Sequence, residues 1–373
     1  MMNQGTYGCV YKPEFSCNKN PVSSKPFTKK MVSKITMANS SNIMQEINLG
    51  KIIQSIPHYD NYFAPILNSC PINLGEINKE ELQPCQFIQD EIEKQKQTHD
   101  NRSPPIYNSN TIRYVGTKSI YDAMIHSSFP KILSTHIHLL KALTLLQKSI
   151  DDPIIHFDLK DNNIIFDDIY SIPIIIDFGI SFPVSKLKNI DKDVFYIYYE
   201  KYPPWCIEIV ILSYIIHKID RPKNTIITAQ DISGLKSVCS IFVKQNPIFD
   251  DGFDPDELLE FENALGLFID SFISKSWDDI INSIIANKLS WDNYSLSVIY
   301  HDILMKWSSY YDPDSNRGDK SPLGGLDDEF KQILPYIVVY TKIIKDIILS
   351  PPSVLRQLPN ETQTLFEELG KMK

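Results

Sequence analysis

Apolar residues come in short, strand-like runs over the first third of the chain and at helical spacing over most of the rest. Runs at residues 9–11, 31–35, 62–66 and 111–115 predict short strands, and a helical pattern over 43–53 sits among them. Residues 68–110 are polar and carry Pro71, Pro84, Pro104 and Pro105, so this stretch reads as an insertion or excursion. From about residue 119 the pattern turns helical. Ile137, Leu140, Leu143, Leu146 and Ile150 recur at spacings of three and four, with Ser134 or Thr135 as candidate N-cap. Two strands at 164–166 and 172–176 then flank a turn around Asp167 and Asp168, which reads as a hairpin. Several amphipathic helical segments fill 209–291 and enclose an acidic stretch at 250–262; residues 292–373 are again helical. The expected class is α+β, with a β-rich part over 1–116 and a larger helical part over 117–373.

Composition narrows the partners. The 373 residues are 43% hydrophobic and 22% charged, which argues against disorder along the whole chain. A net charge of −9 makes sequence-independent nucleic-acid binding an unsuitable role. Cys9, Cys17, Cys70, Cys85, Cys206 and Cys239 show no CxxC pair and no zinc spacing, so free thiols in a reducing compartment are expected. The opening MMNQGTYGC has no charged n-region or apolar core, and the apolar runs at 207–216 and 337–349 are short or broken by Lys342 and Lys345. A soluble, cytoplasmic protein with no membrane partner is the expectation. Oligomeric state is not legible.

The chemistry lies in an ordered series of polar residues. Gly5-Thr6-Tyr7-Gly8-Cys9-Val10 is a glycine loop, and such glycines let backbone N–H groups approach phosphate oxygens. A tight turn would use the same residues. Lys34 lies in a strand-like run, and Glu46 follows in the helical pattern over 43–53. A lysine–glutamate pair about 4 Å apart interacts by roughly 4 kcal/mol before desolvation at an effective dielectric near 20, enough to hold an ammonium over phosphates. His156-Phe157-Asp158-Leu159-Lys160-Asp161-Asn162-Asn163 precedes the hairpin, and Asp177-Phe178-Gly179 follows it. Asp158 is placed to take a proton from an incoming hydroxyl, and Lys160 to neutralise charge on a transferring phosphate. Asn163 and Asp177 supply hard oxygen ligands of the kind magnesium takes.

These motifs resemble those of eukaryotic-type Ser/Thr protein kinases over nearly the full chain. Residues 4–13 (QGTYGCVYKP), 202–208 (YPPWCIE) and 291–296 (WDNYSL) resemble more closely the kinases of large nucleocytoplasmic DNA viruses. The resemblance implies two lobes with ATP and Mg2+ between them, a hinge near 114–117, and an insertion at about 209–290 in the C-terminal lobe. Gly5, Thr6, Tyr7, Gly8, Val10, Lys34 and Glu46 would serve ATP, Asn163 and Asp177 the metal, and Asp158 and Lys160 catalysis. The partner would be a protein bearing a Ser or Thr acceptor, and Lys160 is the Ser/Thr-kinase pattern. Glu208 would pair with an arginine, for which Arg356 is the candidate, and Asp292 would brace the catalytic loop.

The chain also departs from the family. Phe157 replaces an arginine that reads activation-loop phosphate, which implies activity independent of such phosphorylation. Asn3 stands in the place of the first glycine, and almost no strand is expected before it. Tyr202-Pro203-Pro204-Trp205 replaces the usual approach to the Ala-Pro-Glu motif. Two other readings share these residues: a pseudokinase or scaffold with little turnover, and a small-molecule kinase.

Overall fold

The computed structural model describes residues 3–5, 8–11, 31–37, 41–72, 85–86, 88–90, 93, 107–167, 169–190, 194–195, 197–219, 224–309 and 327–371. The protein is mixed α+β, sheet-rich at the N-terminal end and helical after it. It divides into two compact units. One holds residues 1–116 with 167–169 and 174–181; the other holds 117–166, 170–173 and 182–373.

The first unit is built on an antiparallel sheet of β1 (Asn3–Gly5), β2 (Gly8–Tyr11), β3 (Met31–Met37), β5 (Ile66–Ile72) and β6 (Tyr107–Arg113), in the order β1-β2-β3-β6-β5. The short β4 (Phe63–Ala64) instead runs parallel to the end of β9 (Ile172–Ile176), with Phe63 opposite Ile175. Side chains alternate across a strand, so β3 sends Ile35 and Met37 to one face and Val32, Lys34 and Thr36 to the other. Val10 lies opposite Lys34 in the register and shares its face.

Part of the stretch expected as a polar excursion is strand: residues 68–72 belong to β5 and 107–110 to β6. Its polar side chains pair across the sheet. Ser109 donates to Ser33 at 2.9 Å, Asn110 to Thr36 at 2.8 Å, and Ser69 to Asn110 at 2.7 Å. Buried polar groups cost little once bonded to each other, so these strands need no apolar alternation.

The cysteines also depart from expectation. Cys9 and Cys85 form a disulfide, and Cys70 is disulfide-bonded as well. The partners are 76 residues apart, so no local spacing could announce the pair. What brings them together is an apolar cluster on the Ile35 face of the sheet: Cys9, Tyr11, Ile35, Cys85, Ile88 and Tyr107. Cys206 and Cys239 are free, buried thiols, as expected, and burial raises Cys239 to about 12. Cys17 lies outside the described residues.

One helix, α1 (Ser41–Gln54), belongs to this unit and approaches β5 very closely. A Cβ on Gly50 would stand 2.4 Å from the Ile66 carbonyl oxygen, so only glycine fits there. One turn on, Gln54 donates to the carbonyls of Gly50 and Ile66.

In the second unit the helices run α2 (Ile120–Met124), α3 (Phe129–Lys148), α4 (Ile207–Lys218), α5 (Ala229–Gln245), α6 (Pro255–Asp270), α7 (Trp277–Ile285), α8 (Trp291–Ser309), α9 (Asp327–Ile348) and α10 (Pro359–Lys371). Before α4 come β7 (Ile154–Ile155), β8 (Ile164–Asp167) and β10 (Phe182–Pro183), with β10 antiparallel to β7. The expected strands at 164–166 and 172–176 are present as β8 and β9; Asp168 lies outside the described residues. Helix α3 starts earlier than the cap candidates Ser134 and Thr135 suggested. Ser128 is its N-cap and Pro130 lies in its first turn, because Phe129, Ile132 and Leu133 already belong to its buried stripe. His136 on α3 stacks on Tyr300 at 3.9 Å between centroids and shares a 2.7 Å hydrogen bond with Tyr340. Burial holds its pKa well below the usual histidine value.

Three acidic residues of the stretch at 250–262 serve the fold. Asp254 caps α6 in a reciprocal box with Glu257, Glu257 also pairs with Lys345, and Glu262 pairs with Lys244 at 2.8 Å. No described helix is long and apolar enough to cross a membrane.

Buried His301 on α8 stacks on Phe253 with centroids 4.6 Å apart. Burial and the nearby Lys345 lower its pKa from 6.5 to about 4, against the opposing pull of Asp251 and Glu257. The unfolded chain therefore takes up this proton first as pH falls. The stability His301 confers is complete above pH 6.5 and is lost on acidification toward pH 4. His301→Gln should remove about 2 kcal/mol of the stability lost between about pH 7 and 5. Denaturant midpoints of the two proteins across that range would show the flatter profile.

Candidate functional site

The sequence motifs gather into two clusters, one in each unit. In the first unit, Lys34 projects from β3 between two carboxylates. Its Nζ lies 2.8 Å from Asp177 Oδ1 and 3.3 Å from Glu46 Oε1. Glu46 is carried by α1, whose close seating at Gly50 sets its depth. Glu46 is buried and Lys34 partly so, whereas the Asp177 side chain is 43% exposed. Burial by itself would lower the Lys34 pKa; Asp177 and Glu46 outweigh it and raise it, so the ammonium stays charged. Burial raises the Glu46 carboxyl, Lys34 opposes that rise, and Asp177 adds to it.

Asp177 has a left-handed backbone, with φ of 60°. Non-glycine residues adopt this conformation at a cost of order 1–3 kcal/mol, and such strain collects at functional sites. Two neighbours help to hold it. Phe178 is buried and meets Phe63 edge-on at 6.1 Å, and the Gly179 N–H points at Asp177 Oδ1. A Cβ on Gly179 would come within 3.2 Å of that same oxygen, so the glycine leaves the carboxylate room.

The glycine-loop residues lie on the strands beside β3. Gly5 on β1 pairs with Gly8 on β2, and Val10 lies opposite Lys34. Thr6 and Tyr7 lie outside the described residues.

The second cluster surrounds Asp158. Lys160 Nζ stands 2.9 Å from Oδ2 and 3.2 Å from Oδ1. The Asn163 amide donates to Oδ2 at 3.0 Å and to the Asp158 carbonyl at 2.8 Å, so its own oxygen is turned away from the carboxylate. The Tyr202 hydroxyl donates to Oδ1 at 2.5 Å, and Lys160 reaches that hydroxyl at 3.3 Å. Sequence reasoning gave Tyr202 no role at this carboxylate. Nothing in its local pattern points to Asp158, 44 residues away.

Three contacts hold the loop bearing Asp158. Asp292, on α8, accepts the backbone N–H of His156 at 2.7 Å and of Phe157 at 3.0 Å, the bracing role the resemblance implied. Burial raises the Asp292 carboxyl, while His156 and the two N–H groups pull it down. Phe157 has φ of 69° and is fully buried among Phe182, Phe195, Trp205 and Trp291. Its carbonyl accepts the Trp205 indole N–H at 2.9 Å.

The segment carrying Tyr202 and Trp205 leads into α4, where Glu208 meets Arg356 at 2.8 Å, with both side chains almost wholly buried. Arg356 also donates to the carbonyls of Ile347 and Ser350, and Asn287 donates to Glu208.

Compared with protein-family models and with curated proteins, the chain matches none.

Removing one partner of a buried, hydrogen-bonded ion pair leaves the other charge uncompensated. Arg356→Met should therefore lower stability by about 3–5 kcal/mol, read as a shifted urea midpoint. The double variant with Glu208→Gln should regain part of that loss; no recovery would show that Arg356 acts through its other bonds.

Proposed function

We propose that the protein is a Ser/Thr protein kinase that transfers the γ-phosphate of Mg-ATP to protein hydroxyls, on a two-lobed kinase fold. One observation carries this reading: the polar residues of the motifs are engaged with one another around two carboxylates, Asp177 and Asp158, instead of lying scattered over the surface. Structural ion pairs alone would not need a half-exposed aspartate with a strained backbone paired to a lysine.

In this reading Lys34, kept charged and aimed by Glu46, binds phosphate oxygens. The oxygens of Asp177 and Asn163 are hard donors suited to magnesium, which when bound would offset charge on the phosphates. Asp158 accepts the proton of the acceptor O–H as that oxygen bonds to the γ-phosphorus. The bond from phosphorus to the β,γ-bridging oxygen breaks, and its electron pair leaves with ADP. Lys160, paired with Asp158, offsets charge on the transferring group. The Ser/Thr preference rests on Lys160 and on the motif resemblance, as does the proposed kinship with kinases of large DNA viruses.

The test is transfer of labelled phosphate from Mg-ATP to a generic basic protein. Asp158→Asn should reduce the rate by on the order of 10²–10⁴ with the fold intact by circular dichroism. Lys34→Met should reduce it by about 10² or more. Transfer no faster in the native chain than in Asp158→Asn would favour a scaffold that keeps these residues for structure alone.

A further inference from the structure

The Asp158 carboxylate is already saturated from within its own unit. An ionised carboxylate offers about four lone-pair positions. Here Oδ1 faces the Tyr202 hydroxyl at 2.5 Å and Lys160 at 3.2 Å, while Oδ2 faces Lys160 at 2.9 Å and Asn163 at 3.0 Å. A substrate hydroxyl that is to lose its proton to Asp158 must replace one of these donors.

The three donors are not equally replaceable. Displacing Lys160 would break an ion pair. Asn163 is anchored twice, because it also binds the Asp158 backbone carbonyl. Tyr202 offers a neutral hydroxyl, the same chemical group as the incoming acceptor. Exchanging one hydroxyl for the other keeps the hydrogen-bond count at Oδ1 constant and strands no buried charge. Tyr202 also lies on a turn outside any helix or strand, closed by the Trp205 N–H to the Tyr202 carbonyl at 3.0 Å. Its ring meets Trp205 edge-on at 5.2 Å, which holds the phenol over Asp158 without enclosing it.

We propose that Tyr202 is a specificity-determining placeholder. Its hydroxyl occupies the acceptor position on Asp158, excludes water from that oxygen when no substrate is bound, and yields it to a protein hydroxyl. This rests on the phosphotransfer reading above. Without the placeholder, water would be the competing acceptor: it would give its proton to Asp158, its oxygen would bond to the γ-phosphorus, and ADP and inorganic phosphate would result.

The experiment compares the native chain with Tyr202→Phe, which keeps the ring and its packing on Trp205. ATP hydrolysis without acceptor, and the KM values for ATP and for a basic protein acceptor, are measured with Mg-ATP. Tyr202→Phe should raise acceptor-free hydrolysis by about tenfold, since a freed general base acts on water. It should also lower the acceptor KM and leave the KM for ATP unchanged. Tyr202→Thr, whose hydroxyl sits on a shorter side chain, should behave in the same way. A lower kcat with unchanged hydrolysis and unchanged acceptor KM would overturn the proposal and leave Tyr202 only a positioning role. Phosphate found on Tyr202 by mass spectrometry would also overturn it, because the placeholder would then be an acceptor itself. Absence of transfer and of hydrolysis in all three proteins would remove the kinase reading, and this proposal with it.

Discussion

Asp292 is the constraint on which the second unit's site depends. Its buried carboxylate accepts two consecutive backbone N–H groups, those of His156 and Phe157. Hydrogen bonds to a charged group contribute about 1.5–3 kcal/mol each, enough to offset the left-handed backbone of Phe157. With that bend fixed, the Phe157 ring turns into an aromatic core and the next residue, Asp158, emerges partly exposed. The surface chemistry at Asp158 is thus set by a charge one layer beneath it.

Phe157 gains meaning from the same arrangement. The resemblance marks it as the place of an arginine that would read a phosphate. Here the side chain packs against Phe182, Phe195, Trp205 and Trp291. Its carbonyl also holds the Trp205 indole, on the turn that presents Tyr202. Packing thus links the Asp158 loop to the segment before α4.

Much of this was legible in the sequence, for identifiable reasons. The run at 31–35 is strand, as is 111–113 of the run at 111–115, because both carry short apolar stretches of strand type. The Lys34–Glu46 pairing was expected from the strand-then-helix placement of the two residues, whereas Asp292 with its loop and Glu208–Arg356 were what the motif resemblance implied. Other features were hidden, each for a physical reason. Strands ending at Ile72 and beginning at Tyr107 looked like loop because their polar side chains pair across the sheet. The start of α3 was misplaced because Ser134 and Thr135 bond back to carbonyls within the helix. Tyr202 and the cysteine pair depend on contacts distant in sequence, which no window of neighbouring residues can display.

The Cys9–Cys85 bond ties β2 to Cys85, which lies between β5 and β6 in the chain. A cross-link spanning 76 residues restricts the unfolded chain by about 4 kcal/mol in the chain-entropy account. That contribution is present only where thiols stay oxidised. The same polypeptide would thus have one durability before oxidation and another after it.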